Sequence, residues 1–393
     1  MGWQENSVMD SRVRFISACL EDAETMSRLC LEFGISRKTG YKWLNRYRAY
    51  GVDGLEDLPR APLHHGRATP LETVEAIVAL KERHPHWGPK KLLGYLRHHV
   101  PSRPWPSAST IGEILRRHGL VQGRRRARWK AAGGGPWPDP EGPNAVWSAD
   151  HKGWFRTRDG QRCEPLTVMD GASRYLLGLE ACGSTADAEA WPVLERLFWT
   201  YGLPDRFRTD NGPPFASAGV AGLTPLAVRL IRLGIRLERI QPGKPQQNGR
   251  HERFHLTLRP LVQAPCPDRI AQQSAFEAFR QIYNDQRPHE ALGQTPPADH
   301  YHPSTRTMPD TLPDPDYPPE AAVRRVRTTG EIKWAGRLVY IAQSLAGLPV
   351  ALEETETGEW AVRFCHHPIG YIDRKTLRLT RRSNANLLPL YPV

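Results

Sequence analysis

Apolar positions along the chain fall into three textures. Over residues 1–65 they keep a helical step: Met26, Leu29, Cys30 and Phe33 recur until Gly34-Ile35-Ser36 interrupts them. Ser36 suits the N-cap of a second helix over 37–47, which carries Trp43, Leu44 and Tyr47 on its apolar side. Lys38, Lys42 and Arg46 recur every fourth residue and, with Arg37, give that helix a basic stripe. A helix, a glycine turn and a basic helix form a helix-turn-helix pattern, whose second helix enters the DNA major groove. Gly40 runs against it, since glycine inside a helix costs about 1 kcal/mol. A second helical block occupies 66–122. Its first helix, 71–83, is periodic in Leu71, Val74, Ile77, Val78 and Leu80. Pro89 opens the next, and Ser107-Ala108-Ser109 caps a third that Gly119 ends. This block reads as a second DNA-binding unit.

From residue 144 the pattern changes to short strands and helices. Three strand-like runs come first, at 146–149, 166–169 and 175–179, with turn signals at Arg158-Asp159-Gly160 and Asp170-Gly171. A helical run over 188–201, a strand leading to Asp210, a helix over 225–233 and a fifth strand at 235–240 follow. The order implies a mixed five-stranded α/β sheet. A helix is expected from about Gln246 until Pro260 bends or ends it. On it Asn248, Glu252, His255 and Arg259 share one face, and Phe254, Leu258 and Leu261 face the core. Beyond the Pro-rich stretch 296–322, four short strands over 332–364, separated by Gly336, Gly347 and Gly358, fit a small β-barrel in 323–393 that adds DNA-backbone or subunit contacts.

Composition narrows the partner. The formal net charge of the 393 residues is +12, with a pI near 9.6, which favours a polyanion. Five basic residues, Arg124, Arg125, Arg126, Arg128 and Lys130, precede Gly133-Gly134-Gly135, so 123–143 reads as a phosphate-contacting arm with a glycine hinge. The chain has no spanning apolar run and no signal-peptide segment, so no membrane partner is expected. Six cysteines without a CxxC spacing point to a reducing cytoplasm rather than to zinc or disulfides. Cys365-His366-His367 reads as strand-end packing.

Three acids stand out by their settings. Asp150 ends the first strand of the central region. Asp210 ends a later one, before the abrupt turn Asn211-Gly212-Pro213-Pro214, and Glu252 lies on the helix after the fifth. Taken singly, each is an ordinary turn or helix-start acid. The flanking residues Trp147-Ser148-Ala149-Asp150, Arg208-Thr209-Asp210-Asn211-Gly212 and Gly243-Lys244-Pro245-Gln246-Gln247-Asn248-Gly249-Arg250-His251-Glu252 closely resemble the DDE motifs of the retroviral-integrase superfamily. They look most like those of bacterial insertion-sequence transposases. The segment from Tyr283 to Leu292, with Thr295-Pro296, is similar to the one that closes the core in that group.

The resemblance implies an RNase H-like catalytic core over 144–295. Asp150, Asp210 and Glu252 would be both catalytic and metal-binding, holding two Mg²⁺ ions, with Mn²⁺ able to substitute. Water, and later a DNA 3′-hydroxyl, would attack a phosphodiester in line, with no protein nucleophile. The partners would be double-stranded DNA, as terminal inverted repeats and target, and further copies of the chain assembled on it. Forty-one residues separate Asp210 from Glu252, a wider gap than in the retroviral motif, and the small-residue loop 216–224 can house the surplus. His151 stands where relatives often carry an apolar residue and reads as packing. Lys244, Asn248, Arg250 and Arg253 suit DNA phosphate. A silent DNA-binding derivative would not need all three acids. An RNase H-type nuclease would not need paired helical units, and a serine or tyrosine recombinase would need a nucleophile motif that is lacking.

Overall fold

The computed structural model describes residues 7–58, 68–121, 140–217, 219, 221–240 and 249–380. It divides into two compact units, Met1–Thr69 and Pro70–Val393. In the first, α1 (Val8–Leu20) starts at a capping box in which Ser7 and Asp10 satisfy each other's backbone N–H. Helices α2 (Met26–Glu32) and α3 (Arg37–Tyr50) follow, and Ser36 caps α3 by accepting from Thr39 N. Phe15, Ile16, Leu29, Cys30, Trp43, Leu44 and Leu55 form their core. Gly40 is where the sequence expectation inverts. A Cβ there would sit 2.5 Å from Cys30 Sγ, 3.0 Å from Phe15 Cζ and 3.1 Å from Met26 Sδ, so close helix packing requires glycine.

The second unit opens with α4 (Leu71–Arg83), α5 (Pro89–His99) and α6 (Ala108–Arg117), packed through Ile77, Leu92, Ile111 and Leu115. Next come β1 (Val146–His151), β2 (Phe155–Arg156), β3 (Arg162–Asp170) and β4 (Leu176–Cys182). Helix α7 (Asp187–Tyr201), β5 (Arg206–Thr209), α8 (Pro225–Arg232), β6 (Arg236–Arg239), α9 (Gly249–Gln263) and α10 (Arg269–Gln281) complete the α/β part. The long strands run in the order β4-β3-β1-β5-β6, and β2 adds a two-residue sixth strand on β3. β3 pairs antiparallel with β1 and β4, whereas β1–β5 and β5–β6 are parallel, so the sheet is mixed as expected. One face packs Trp147, Ala149, Leu166 and Val168 against α7 and α8. The other packs Met169, Leu176 and Leu179 against Phe254, Leu258 and Phe276 of α9 and α10. Helix α9 runs past Pro260 to Gln263 rather than ending there. The carbonyl that the proline leaves without a donor belongs to Leu256, which is exposed and can be hydrated.

After α10 a π-turn, Ile282–Gln286, presents Asn284 to the sheet. Its amide accepts from Leu176 N at 2.8 Å and donates to Leu176 O at 3.0 Å, completing the ladder as a strand residue would. The segment beyond it receives α5. Lys91 Nζ donates to Pro288 O, and a Cβ on Gly94 would meet Gln294 at 2.9 Å.

The C-terminal part holds β7 (Ala322–Arg325), β8 (Glu331–Trp334), β9 (Arg337–Tyr340), β10 (Pro349–Glu354), β11 (Trp360–Phe364), β12 (His367–Ile372) and β13 (Leu379–Thr380). The expected barrel is corrected. Among the described residues there is an open five-stranded sheet, β13-β12-β11-β10-β7, and a separate β8–β9 hairpin. Alternating side chains look the same in open and closed sheets, so the pattern could not decide closure. Val326, Val350 and Phe364 join the same apolar cluster as Trp147 and Leu226.

Gly40→Ala is expected to lower the stability of a 1–69 fragment by about 1–3 kcal/mol, although alanine is the better helix former. Adding Cys30→Ala should recover part of that stability. Denaturation followed by circular dichroism checks both, and a more stable Gly40→Ala fragment would refute the packing account.

Candidate active site

Parallel pairing brings the first two acids together. Ser148 of β1 stands opposite Arg208 of β5, so Asp150 and Asp210, each two residues further on, leave the same edge of the sheet side by side. Asp210 is held by its own turn: Gly212 N donates to its Oδ1 at 3.1 Å, and Asn211 Nδ2 donates to Ile240 O at 2.7 Å. Upstream, Arg206 and Arg208 clamp the buried Glu238 of β6 at 3.1 and 2.8 Å, fixing the end of β5. Period-two alternation sets Asp150 on the face opposite Trp147 and Ala149, the one that α9 covers.

The α9 side is organised by one buried hydroxyl. Thr167 Oγ1 of β3 donates to Asp150 O at 2.8 Å. His251 Nε2 and His255 Nε2 lie 3.0 and 3.2 Å from the same oxygen, so both imidazoles donate to it. His255 Nδ1 is 4.0 Å from Asp150 Oδ2. Burial pushes His251 down to about 4 and, with His251 beside it, His255 down to about 2. Both rings are therefore neutral near pH 7, and the approach of His255 to Asp150 is not an ion pair. Sequence reasoning missed Thr167 and His251. The one available signal was the four-residue step from His251 to His255, which stacks the rings on one helix side.

Asp150 has the electrostatics of a crowded carboxylate. Burial, then the charge of Asp210, with a smaller share from Glu252, push it up to about 7. Asp150 therefore senses both other acids. Glu252 itself is exposed on the first described turn of α9. Among the described residues, no three His, Cys, Asp or Glu side chains lie closely enough to hold a metal ion. His151 packs 6.2 Å from the Phe215 ring, and burial lowers its pKa.

The basic residues divide. Arg37, Lys38 and Lys42 are exposed on α3. Arg46 is partly withdrawn: it donates to Glu56 O at 2.6 Å and lies 4.9 Å over Trp43, whose ring also meets Arg12 at 3.9 Å and Lys42 at 4.5 Å. Arg250 donates to Gly171 O at 3.0 Å, tying α9 to the sheet, while Arg253 is exposed. Lys244, Asn248, Arg124, Arg125, Arg126, Arg128 and Lys130 lie outside the described residues. No helix among the described residues is long and apolar enough to cross a membrane.

This mixed sheet, with acids at its β1 and β5 ends, is that of an integrase-core protein. Residues 140–245 and 233–297 match the integrase core domain family. Residues 11–62 match a helix-turn-helix domain, 39–115 a homeodomain-like domain and 321–380 the IS481 family transposase C-terminal domain. The insertion element IS407 uncharacterized 31.7 kDa protein of Burkholderia multivorans is 30% identical over 256 residues, 62% of this chain and 87% of that protein. The insertion element IS476 uncharacterized 39.2 kDa protein of Xanthomonas euvesicatoria is 28% identical over 225 residues, 56% of this chain and 62% of that one. A magnesium complex of the HTLV-2 integrase catalytic core overlays 41% of this chain and 99% of its own, at 17% identity and a TM-score of 0.33. The chain belongs to the bacterial insertion-sequence transposases with an integrase-like core.

The raised Asp150 carboxyl has a measurable consequence without metal. Its folded pKa exceeds its unfolded value, so its contribution is full below about pH 4 and is lost as pH rises through about 7. The loss is on the order of 2–4 kcal/mol, at the lower end because 22% of the side chain is exposed. In a chelator, wild type should lose melting temperature between pH 5 and pH 8, and Asp150→Asn should lose much less. Parallel curves for the two proteins would show that the crowding is absent.

Proposed function

We propose that this transposase binds the ends of its mobile element and catalyses DNA strand cleavage and strand transfer by in-line phosphoryl transfer, with Asp150, Asp210 and Glu252 as its carboxylate triad. The observation that carries the reading is the β1–β5 register, which sets two carboxylates side by side where a third, on α9, is felt electrostatically. Hard oxygen donors of this kind suit Mg²⁺, or Mn²⁺ in its place, and the proton that Asp150 retains near neutrality is what a bound cation would displace. Two such ions would supply Lewis acidity toward the attacked phosphodiester. The chain's own residues do the rest. The β1–β5 ladder holds rigid the edge from which Asp150 and Asp210 offer oxygen donors, and Glu252 adds the third from α9. The Thr167 hydroxyl keeps α9 in register with β1. No side chain needs to act as a nucleophile.

DNA recognition falls to the exposed face of α3, with Arg37, Lys38 and Lys42 toward phosphate and base edges. In the same reading, 1–65 and 66–122 are DNA-binding units, 123–143 a basic linker, 144–295 the catalytic core, 296–322 a Pro-rich linker and 323–393 a C-terminal module. The active species is a homo-oligomer on double-stranded DNA that joins terminal inverted repeats to a target.

Glu252→Gln keeps size and helix propensity but removes a charge. It should fold and bind DNA normally while cleavage and joining of a labelled terminal repeat fall by at least about 10²-fold. Asp150→Asn and Asp210→Asn should behave alike, and double variants should lose little more, as for groups acting as a unit. Near-normal joining by folded Glu252→Gln protein would remove Glu252 from the site. Separately, Lys38→Ala with Lys42→Ala should weaken binding of the element's ends by about tenfold or more and flatten its salt dependence, measured by fluorescence anisotropy. Unchanged binding would move recognition away from α3.

A further inference from the structure

A groove of about 840 Å³ lies between the α4–α5 loop, α9 and the segment that follows α10. From α9 it is lined by Arg253, Leu256, Thr257, Arg259, Pro260 and Gln263, which recur at three- and four-residue steps along the helix. Glu252, next to Arg253 in sequence, is not among the lining residues. The charge of the groove is one-sided: Arg83, Lys90, Lys91, Arg253, Arg259 and Arg287 line it against a single carboxylate, Glu290. That carboxylate is already taken by Lys90 at 3.2 Å, in an exposed pair.

Two of the cations are built in rather than waving in solvent. Lys91 is half-buried with Pro288 O as its acceptor, and burial, with Arg287 and Arg253 nearby, pushes its ammonium down to about 8. Arg287 donates from Nη2 to Thr257 Oγ1 at 3.3 Å, while its buried Nε–H has no partner among the described residues. Burial lowers its pKa too, and Arg253 adds to the effect. Desolvated like charges held together cost free energy unless an anion neutralises them. The wall opposite α9 is rigid: His84 and Trp87 stack at 3.8 Å, and Lys81 Nζ ties that loop through Pro85 O and Trp87 O at 2.6 and 3.0 Å.

We propose that this groove is a sequence-independent seat for the phosphate backbone of DNA, formed jointly by the second helical unit and α9. The assignment rests on the reading of the chain as a DNA transposase. It adds a binding surface distinct from the α3 face, with Lys90, Lys91, Arg259 and Arg287 as phosphate contacts that no motif indicated. An acidic protein surface is the poorer fit, because buried guanidinium and ammonium groups in one channel match an anion repeated along a backbone.

The test uses the full chain and compares Lys90→Ala/Arg253→Ala/Arg259→Ala with wild type on two duplexes, a terminal repeat and an unrelated sequence. All three side chains are exposed, and a thermal melt checks the fold. Affinity should fall about tenfold or more on both duplexes alike, and the slope of log K against log salt should flatten by about 0.9 for each phosphate no longer neutralised. Arg253→Lys/Arg259→Lys keeps the charges and should retain the wild-type slope. An unchanged slope in the triple alanine variant, or weakening confined to the terminal repeat, would overturn the groove while leaving the transposase reading intact. If wild type bound neither duplex, both would fall.

Discussion

Everything at the edge that carries Asp150 and Asp210 hangs on the parallel pairing of β1 with β5. In an antiparallel pair, the end of one strand lies beside the start of the other, and two strand-end acids would point to opposite edges. The parallel ladder gives Asp150 and Asp210 a common edge and a common height, set by backbone hydrogen bonds rather than by side-chain rotamers. Trp147, Phe207 and Phe198 bury the other face of that pair and hold the register, since a one-residue slip would turn the strand residues among them toward α9. The Glu238 clamp does the same on the far side of β5.

Such an arrangement concentrates negative charge and has to be held by something neutral. Thr167 meets that need. A single hydroxyl takes two imidazole donors and gives its proton to the Asp150 carbonyl, so α9 is latched to the sheet without adding charge to the acids. A lysine at His255 would compete for the carboxylates, and an alanine would leave the hydroxyl short of a partner.

Much of this was legible in the sequence, for identifiable reasons. Strands ending in acids, caps at Ser36 and Ser107 and the helical step of Phe254 and Leu258 are local patterns, and the structure carries each of them. What stayed hidden is non-local. The Thr167–His251 contact spans 84 residues, and Asn284 reaches Leu176 across 108. Gly40 looked like a weakness because propensity counts only the helix it sits in, while its neighbours come from α1 and α2. The barrel failed because closure depends on edge strands meeting. In the candidate site, the sequence named the acids by their flanks but could not foresee that Arg46 and Arg250 would be occupied by backbone carbonyls.

The docking of α5 on the segment after α10 changes what the second helical unit can be. Gly94 against Gln294 and Lys91 on Pro288 seat that unit directly on the segment that follows α10. On the proposed reading, a duplex seated in the groove would be referred to the edge that carries Asp150 and Asp210 through this docking. The spacing between that seat and the attacked phosphodiester would then be set by protein geometry.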